Sequence, residues 1–280
     1  MHDLAQNWSM QAPLIQVDAF TQELFSGNPA AVCPLLEWPK DSVMQAIAAE
    51  NNLSETAFLV PVPDRYRLRW FTPTLEVSLC GHATLAAAHV VTRHLRPDLN
   101  EVTFDTRSGP LTVMRDEERL SMDFPRIVGS EAPPDPAVLE ALGGPPPVAS
   151  FRIERPATPS YFMFVYETAG EVALLAPDFS KLKSNVIVTA DARAYDSEFD
   201  FVSRYFAPAS GIREDPVTGS AHCSLTPYWA ERLGKRELVA RQISNRGGTV
   251  YCTDTGDRVL LGGYCVEYLV GSIQLPDREL

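Results

Sequence analysis

Three short segments of the chain hold the residue types that proton transfer needs. In Asn51-Asn52-Leu53-Ser54-Glu55-Thr56-Ala57-Phe58-Leu59-Val60 a single carboxylate stands at the entrance to an apolar strand. Strand alternation puts Glu55 on the face of Ala57 and Leu59, among apolar neighbours. Desolvation there is expected to raise its pKa, which suits a group that takes and returns a proton near neutral pH. The competing reading is an edge carboxylate in water or beside an arginine. In Cys80-Gly81-His82-Ala83-Thr84 a glycine permits close backbone approach at the start of a strongly apolar helix. The N–H groups of such a start hold a carboxylate or an enolate oxygen. His82 can donate to a substrate or shuttle a proton, or its ring can simply be satisfied by backbone. Cys80 is either a thiol with a lowered pKa or a small buried residue. The third segment, Glu214-Asp215-Pro216-Val217-Thr218-Gly219-Ser220-Ala221-His222, offers hydroxyls and N–H groups from Thr218, Gly219 and Ser220, with Asp215 on the loop before them. N-capping by Thr218 or Ser220 and loop ordering by Asp215 are the plainer roles, and both are compatible with an anion site.

Two of these segments repeat each other. Phe71-Thr72-Pro73-Thr74 leads to Cys80-Gly81-His82, and Phe206-Ala207-Pro208-Ala209 leads to Asp215 through His222; each runs into an apolar helix. An Arg-x-Gly turn follows in each half, Arg107-Ser108-Gly109 and Arg246-Gly247-Gly248. One unit used twice implies two pseudo-symmetric lobes, whose helix starts would face each other across a cleft.

The positioning elements follow from periodicity. Strands are expected at Leu14 to Phe20 and, past a Gly27-Asn28-Pro29 turn, at Ala30 to Leu35, then Ser54 to Val60 and Arg65 to Phe71. A helix is expected from Asp41 to Glu50, and a buried one from His82 to about Leu95 in the centre of the first lobe. Val102 to Asp105 and Leu111 to Met114 form a hairpin, with Arg119 to Phe124 adding a strand. The proline-rich stretch from Pro125 to Pro147 is the expected lobe boundary, giving a tail over 1–12, a first lobe over 13–125 and a second over 126–280, with terminal strands free to cross between the lobes. In the second lobe strands are expected at Tyr161 to Val165, Val186 to Thr189 and Phe201 to Phe206, then a helix from Ala221 to Leu233. Further strands follow near Gln242 to Ser244, Gly248 to Cys252, Arg258 to Gly262 and Tyr264 to Val270. The fold class is α+β, each lobe a curved, barrel-like sheet wrapped around one central helix.

Composition removes several function classes. With 24 basic and 36 acidic residues the net charge is −12, which repels nucleic acid and anionic membranes. No apolar run is long enough to span a bilayer, and Met1 to Ala12 reads as a loose tail. Five cysteines without a Cys-x-x-Cys pair suit a reducing cytoplasm. His82, His89 and His94 do not share a tight helical face, so no structural metal is expected. Phosphate loops, dinucleotide fingerprints and serine-hydrolase elbows are missing from the chain.

Asp18-Ala19-Phe20, Gly27-Asn28-Pro29-Ala30-Ala31-Val32, Asn52-Leu53-Ser54-Glu55-Thr56-Ala57-Phe58, Gly81-His82-Ala83-Thr84 and Glu214-Asp215-Pro216-Val217-Thr218-Gly219-Ser220-Ala221 together resemble the PhzF-like phenazine-biosynthesis family, relatives of diaminopimelate epimerase. The resemblance covers Leu14 to Val270. It implies a fold of two similar lobes with the active site between them, a homodimer, and a cofactor-independent isomerase in which a glutamate moves a carbon-bound proton. The family's catalytic glutamate falls on Glu55, and its supporting histidine and aspartate fall on His82 and Asp215. Gly81, Gly219 and Ser220 fall where backbone groups bind the substrate carboxylate. The expected substrate is a small carboxylate-bearing metabolite. Racemases of this fold use two cysteines, one per helix start; here Cys80 has no counterpart, because the second start carries Pro216 and Val217. A cysteine-dependent epimerase and a catalytically silent binding protein stand as the alternatives.

Overall fold

The computed structural model of the chain describes residues 11–155 and 158–276. They divide into two compact units, one made of residues up to Met122 and from Gly263 onward, the other of Asp123 to Gly262. The expected tail falls mostly outside the described residues; Gln11 and Ala12 belong to the first strand.

In the first unit β1 (Gln11–Ala19) pairs antiparallel with β2 (Asn28–Pro34). After α1 (Asp41–Asn51) the chain enters β3 (Glu55–Val62), which runs parallel to β2 with Glu55 opposite Ala30. β4 (Arg65–Phe71) is antiparallel to β3, and the short β5 (Glu76–Val77) folds back on β4. Then come α2 (Gly81–Val90), β6 (Glu101–Thr106) parallel to β4, β7 (Gly109–Asp116) and β8 (Arg119–Pro125).

β2 and β3 are apolar on both faces because both faces are covered. Ala31 and Cys33 of β2, with Phe58 and Val60 of β3, pack against Met44 and Ala48 of α1. A period of two sends Asn28, Ala30 and Val32, with Glu55, Ala57 and Leu59, to the opposite face. There α2 lies against β1, β2 and β3. Eight of its ten residues are buried, and its alanines let strands close around it. The two polar residues on that face, Asn28 and Glu55, are thereby aimed at the helix.

α2 does not continue to Leu95 as a regular helix. Residues Val91–Leu95 form a π turn, which brings together side chains five apart. His89 and His94 consequently both reach Oε1 of Glu267, at 3.2 and 2.7 Å.

The second unit contains β9 (Ser130–Glu131), α3 (Pro136–Leu142), β10 (Ala149–Arg155), β11 (Thr158–Val165) and α4 (Ala169–Leu174). It continues through β12 (Val186–Asp191), β13 (Phe201–Phe206), α5 (Gly219–Leu233), β14 (Glu237–Gln242), β15 (Gly248–Asp254) and β16 (Arg258–Gly263). Neighbouring strands pair in chain order from β9 to β16, parallel at β11/β12 and β13/β14. Its core gathers Phe164, Val172, Val186, Val188, Val202 and Phe206, while α5 rests on β14 and β15. The chain returns to the first unit as β17 (Cys265–Gln274), antiparallel to β1 with Val270 opposite Ile15.

The fold class is α+β, as the residue pattern indicates, with two corrections. The helix expected at Asp41 to Glu50 is present, but the second half holds two helices besides its central one. α3 forms inside the proline-rich stretch because Pro136 suits the first turn and Asp135 accepts from Ala137 N–H at 2.9 Å. α4 forms on a capping box between Thr168 and Glu171. The strand expected near Gln242 to Ser244 lies earlier, at Glu237–Gln242, since Ser244 already belongs to the turn that follows.

Candidate active site

In the first unit Glu55, Cys80 and His82 come together. Nε2 of His82 stands 3.1 Å from Oε2 of Glu55, and both side chains are largely buried, at 8 and 17 % exposure. The contact is an ion pair without the in-line geometry of a hydrogen bond. On the other edge of the ring, Nδ1 lies 3.2 Å from Nδ2 of Asn28 and 3.5 Å from Sγ of Cys80. Asn28 is fully buried. Its amide suits either state of Nδ1, donating through Nδ2 or, turned over, accepting through Oδ1. Gly27, at φ +69°, makes the turn that delivers Asn28, and a Cβ there would run into the Ala19 carbonyl.

The electrostatics correct one expectation. Burial does disfavour the Glu55 carboxylate, yet the adjacent His82 and Cys80 outweigh it, so the pKa is lowered and not raised. For His82, burial opposes the charge, while Cys80 and Glu55 together lift the ring well above its usual value. The Cys80 thiol is itself held up by burial and by Glu55. It therefore keeps its proton at neutral pH, and Glu55 is the anion that balances His82. A helix start does not activate this thiol, because the desolvation is larger.

At the start of α2 Cys80 occupies the N-cap position without a side-chain cap. The first N–H groups of the helix, those of Gly81 and His82, are the ones that an α-helix leaves without an internal acceptor. They carry the positive end of the helix dipole beside Glu55.

Asp215, Thr218, Gly219 and Ser220 lie together in the second unit. Thr218 is the N-cap residue of α5, but its hydroxyl donates to Oδ2 of Asp215 at 2.5 Å instead of accepting from the helix. Residue-level reasoning missed the group that fixes this loop. Gln242, fully buried on β14, accepts the Thr218 N–H at 2.8 Å and donates to the Asp215 carbonyl at 2.7 Å. His222 is buried one turn into α5, with Nδ1 donating to the Thr218 carbonyl at 2.8 Å.

The two helix starts share a scaffold that the repeat only hinted at. Arg69 on β4 grips Glu76 through two bonds of 2.8 and 2.7 Å, and Arg204 on β13 grips Glu214 through bonds of 2.7 and 3.0 Å. Each arginine lies two residues before the repeated phenylalanine and over its ring, and each glutamate lies four residues before the N-cap. A serine within the first Arg-x-Gly turn, and one two residues before the second, bond to the loops that precede the helix starts. Ser108 donates to the Ser78 carbonyl at 2.7 Å, and Ser244 donates to the Pro216 carbonyl at 2.7 Å.

The phenazine biosynthesis-like protein family model matches residues 17–270. The chain belongs to this family. An uncharacterized isomerase of Pseudomonas aeruginosa is 47 % identical over 95 % of this chain and 100 % of its own length. A PhzF-family phenazine biosynthesis protein of Enterococcus faecalis has a crystal structure that superposes with a TM-score of 0.89, at 44 % identity over 95 % of this chain and 100 % of that one. A hydroxyproline epimerase from Agrobacterium vitis, at 10 % identity over 96 % of this chain and 94 % of that one, has a TM-score of 0.56. That likeness shows the fold alone, which this PhzF-family chain shares with epimerases. Among the described residues no helix is long and apolar enough to cross a membrane.

Proposed function

We propose that the protein is a cofactor-independent isomerase that moves a proton on a small carboxylate-bearing metabolite, with Glu55 as the acid and base. The carrying observation is the buried Glu55–His82 pair beside an uncapped helix start. Glu55, ionised at neutral pH, takes the proton from a carbon next to an electron-withdrawing group. Charge then develops on the substrate oxygen, where the N–H groups of Gly81 and His82 stabilise it by a few kcal/mol per well-placed donor. The Glu55 carboxyl returns its proton to another carbon, and His82 holds the carboxylate in place and balances its charge. The family resemblance adds Asp215 as a supporting residue and Gly219 and Ser220, with Gly81, as carboxylate binders, and the residue pattern adds Thr218 as a further substrate-binding residue beside them. The Thr218 to Asp215 bond supports this by keeping that loop ordered.

The test is solvent deuterium uptake across a panel of small carboxylates. Uptake by wild type that falls at least about a hundredfold in Glu55→Gln is expected; equal uptake by both removes Glu55 from the mechanism. A cysteine-dependent epimerase is less well supported. Cys223 lies inside α5, fully buried, with its thiol pushed up to about 11. A silent binding protein would bind carboxylates without any exchange. The family resemblance also implies a homodimer, which light scattering reads directly, and five unpaired thiols fit a reducing cytoplasm.

A further inference from the structure

Glu55, Cys80 and His82 each offer one ligand atom, and these atoms lie within 4.8 Å of one another. We propose that these three side chains bind a borderline-soft divalent cation of the zinc class, and that the bound ion shuts the isomerase site. The inhibitory half rests on the function proposed above; the binding half does not.

Carboxylate, thiolate and imidazole are the ligand types zinc selects, at bonds of about 2.0 to 2.3 Å. Tetrahedral donors at those bond lengths stand roughly 3.3 to 3.6 Å apart. The Nε2 to Oε2 separation of 3.1 Å is already near that range, and Sγ of Cys80, now 3.5 Å from Nδ1, completes a three-donor face by turning from that edge of the ring toward Nε2. Nε2 of His82 and Oε2 of Glu55 are also buried atoms that form no hydrogen bond, although they lie 3.1 Å apart. An ion between them would satisfy both. Charge balances too: one carboxylate and one thiolate neutralise a dication, leaving no net buried charge.

Metal-bound imidazoles need a partner on the far nitrogen. Asn28 supplies it, since its amide already meets Nδ1 at 3.2 Å and can turn its oxygen toward an Nδ1–H. As the bonds to the ion form, the Cys80 thiol proton and the Nε2 proton of the His82 imidazolium both leave to the buffer. No oxidant or reductant takes part. With the ion in place the dication lowers the basicity of the Glu55 carboxylate and occupies the oxygen that faces His82, which no longer supports it.

The experiment uses the full chain, tag-free and stripped with a chelator, titrated with Co²⁺ and back-titrated with Zn²⁺. Wild type is expected to bind one Co²⁺ with a thiolate-to-cobalt absorption band that Zn²⁺ removes. Cys80→Ala should lose the band and bind at least about tenfold more weakly, while Glu55→Gln should keep the band and bind more weakly. Far-UV circular dichroism confirms that the variants fold; Cys80→Ser replaces Cys80→Ala if the latter does not. A missing band in wild type at stoichiometric cobalt, or a band retained without the Cys80 thiol, overturns the site. Where exchange activity exists, zinc should abolish it in wild type and a chelator should restore it. Exchange that persists in the zinc-loaded wild type overturns the inhibition while leaving the function intact, and absence of any exchange leaves the cobalt result standing.

Discussion

His222 makes the second unit sensitive to acid in a way that can be worked through. Its ring is fully buried in α5, with Nδ1–H bound to the Thr218 carbonyl and the imidazole beside Phe201 at 6.0 Å. Burial pushes its pKa down to about 4 from 6.5, partly offset by the backbone bond. In the unfolded chain the ring titrates near 6.5, so between that value and about 4 the unfolded state holds a proton that the folded state lacks. Stability from this group is complete above pH 6.5 and is lost as pH falls through that window, at up to about 1.4 kcal/mol per pH unit. The total is about 3 kcal/mol, and about 2 kcal/mol of it disappears between pH 6.5 and 5. Urea unfolding at a series of pH values, in wild type and in His222→Asn, isolates the contribution. Asparagine keeps a donor near the position of Nδ1, and the space it leaves costs the same at every pH. The wild-type curve should therefore fall toward the variant curve on acidification. Curves that stay parallel within about 0.5 kcal/mol from pH 7 to 5 would refute the reasoning.

Gln242→Met keeps the volume but strands the Thr218 N–H and the Asp215 carbonyl; a loss of about 2 to 4 kcal/mol in urea unfolding is expected, with a higher KM in any exchange assay. Arg204→Met removes both bonds to Glu214 and the bond that Nη1 gives the Leu175 carbonyl, so a thermal-melt loss of about 2 to 3 kcal/mol is expected. Gly27→Ala forces alanine into a positive φ against the Ala19 carbonyl and should cost about 2 to 4 kcal/mol, read by urea unfolding. Because Asn28 follows directly, that variant should also shift the His82 imidazole resonances in an NMR spectrum.

What could be read from residues was what is local. The apolar strands β2 and β3, the buried α2 and the doubled helix start all follow from pattern, and the alternation argument placed Glu55 on the correct face of β3. α4 was legible as well, since Thr168 and Glu171 spell a capping box, but the surrounding strand pattern masked it. The direction of the Glu55 pKa was not legible. It depends on His82, 27 residues away, and burial alone gives the wrong sign. Asn28 and Gln242 were invisible for a related reason: a neutral amide carries no local signal, and each acts on a backbone or ring reached only through sheet pairing. The paired Arg69–Glu76 and Arg204–Glu214 bridges did leave a trace, a glutamate four residues before each N-cap, which comparison of the helix starts alone passes over.

The serine contacts from Ser108 and Ser244 have an evolutionary consequence. Each loop that precedes a helix start is tethered to a strand turn of its own unit, by a bond to a backbone carbonyl that is indifferent to the side chains the loop displays. Mutation can therefore exchange the reactive groups of one copy without disturbing its frame and without waiting for the other. A duplicated fold built this way diversifies one half at a time, and chains that pair a thiol and histidine on one side with an aspartate and hydroxyls on the other are its natural products.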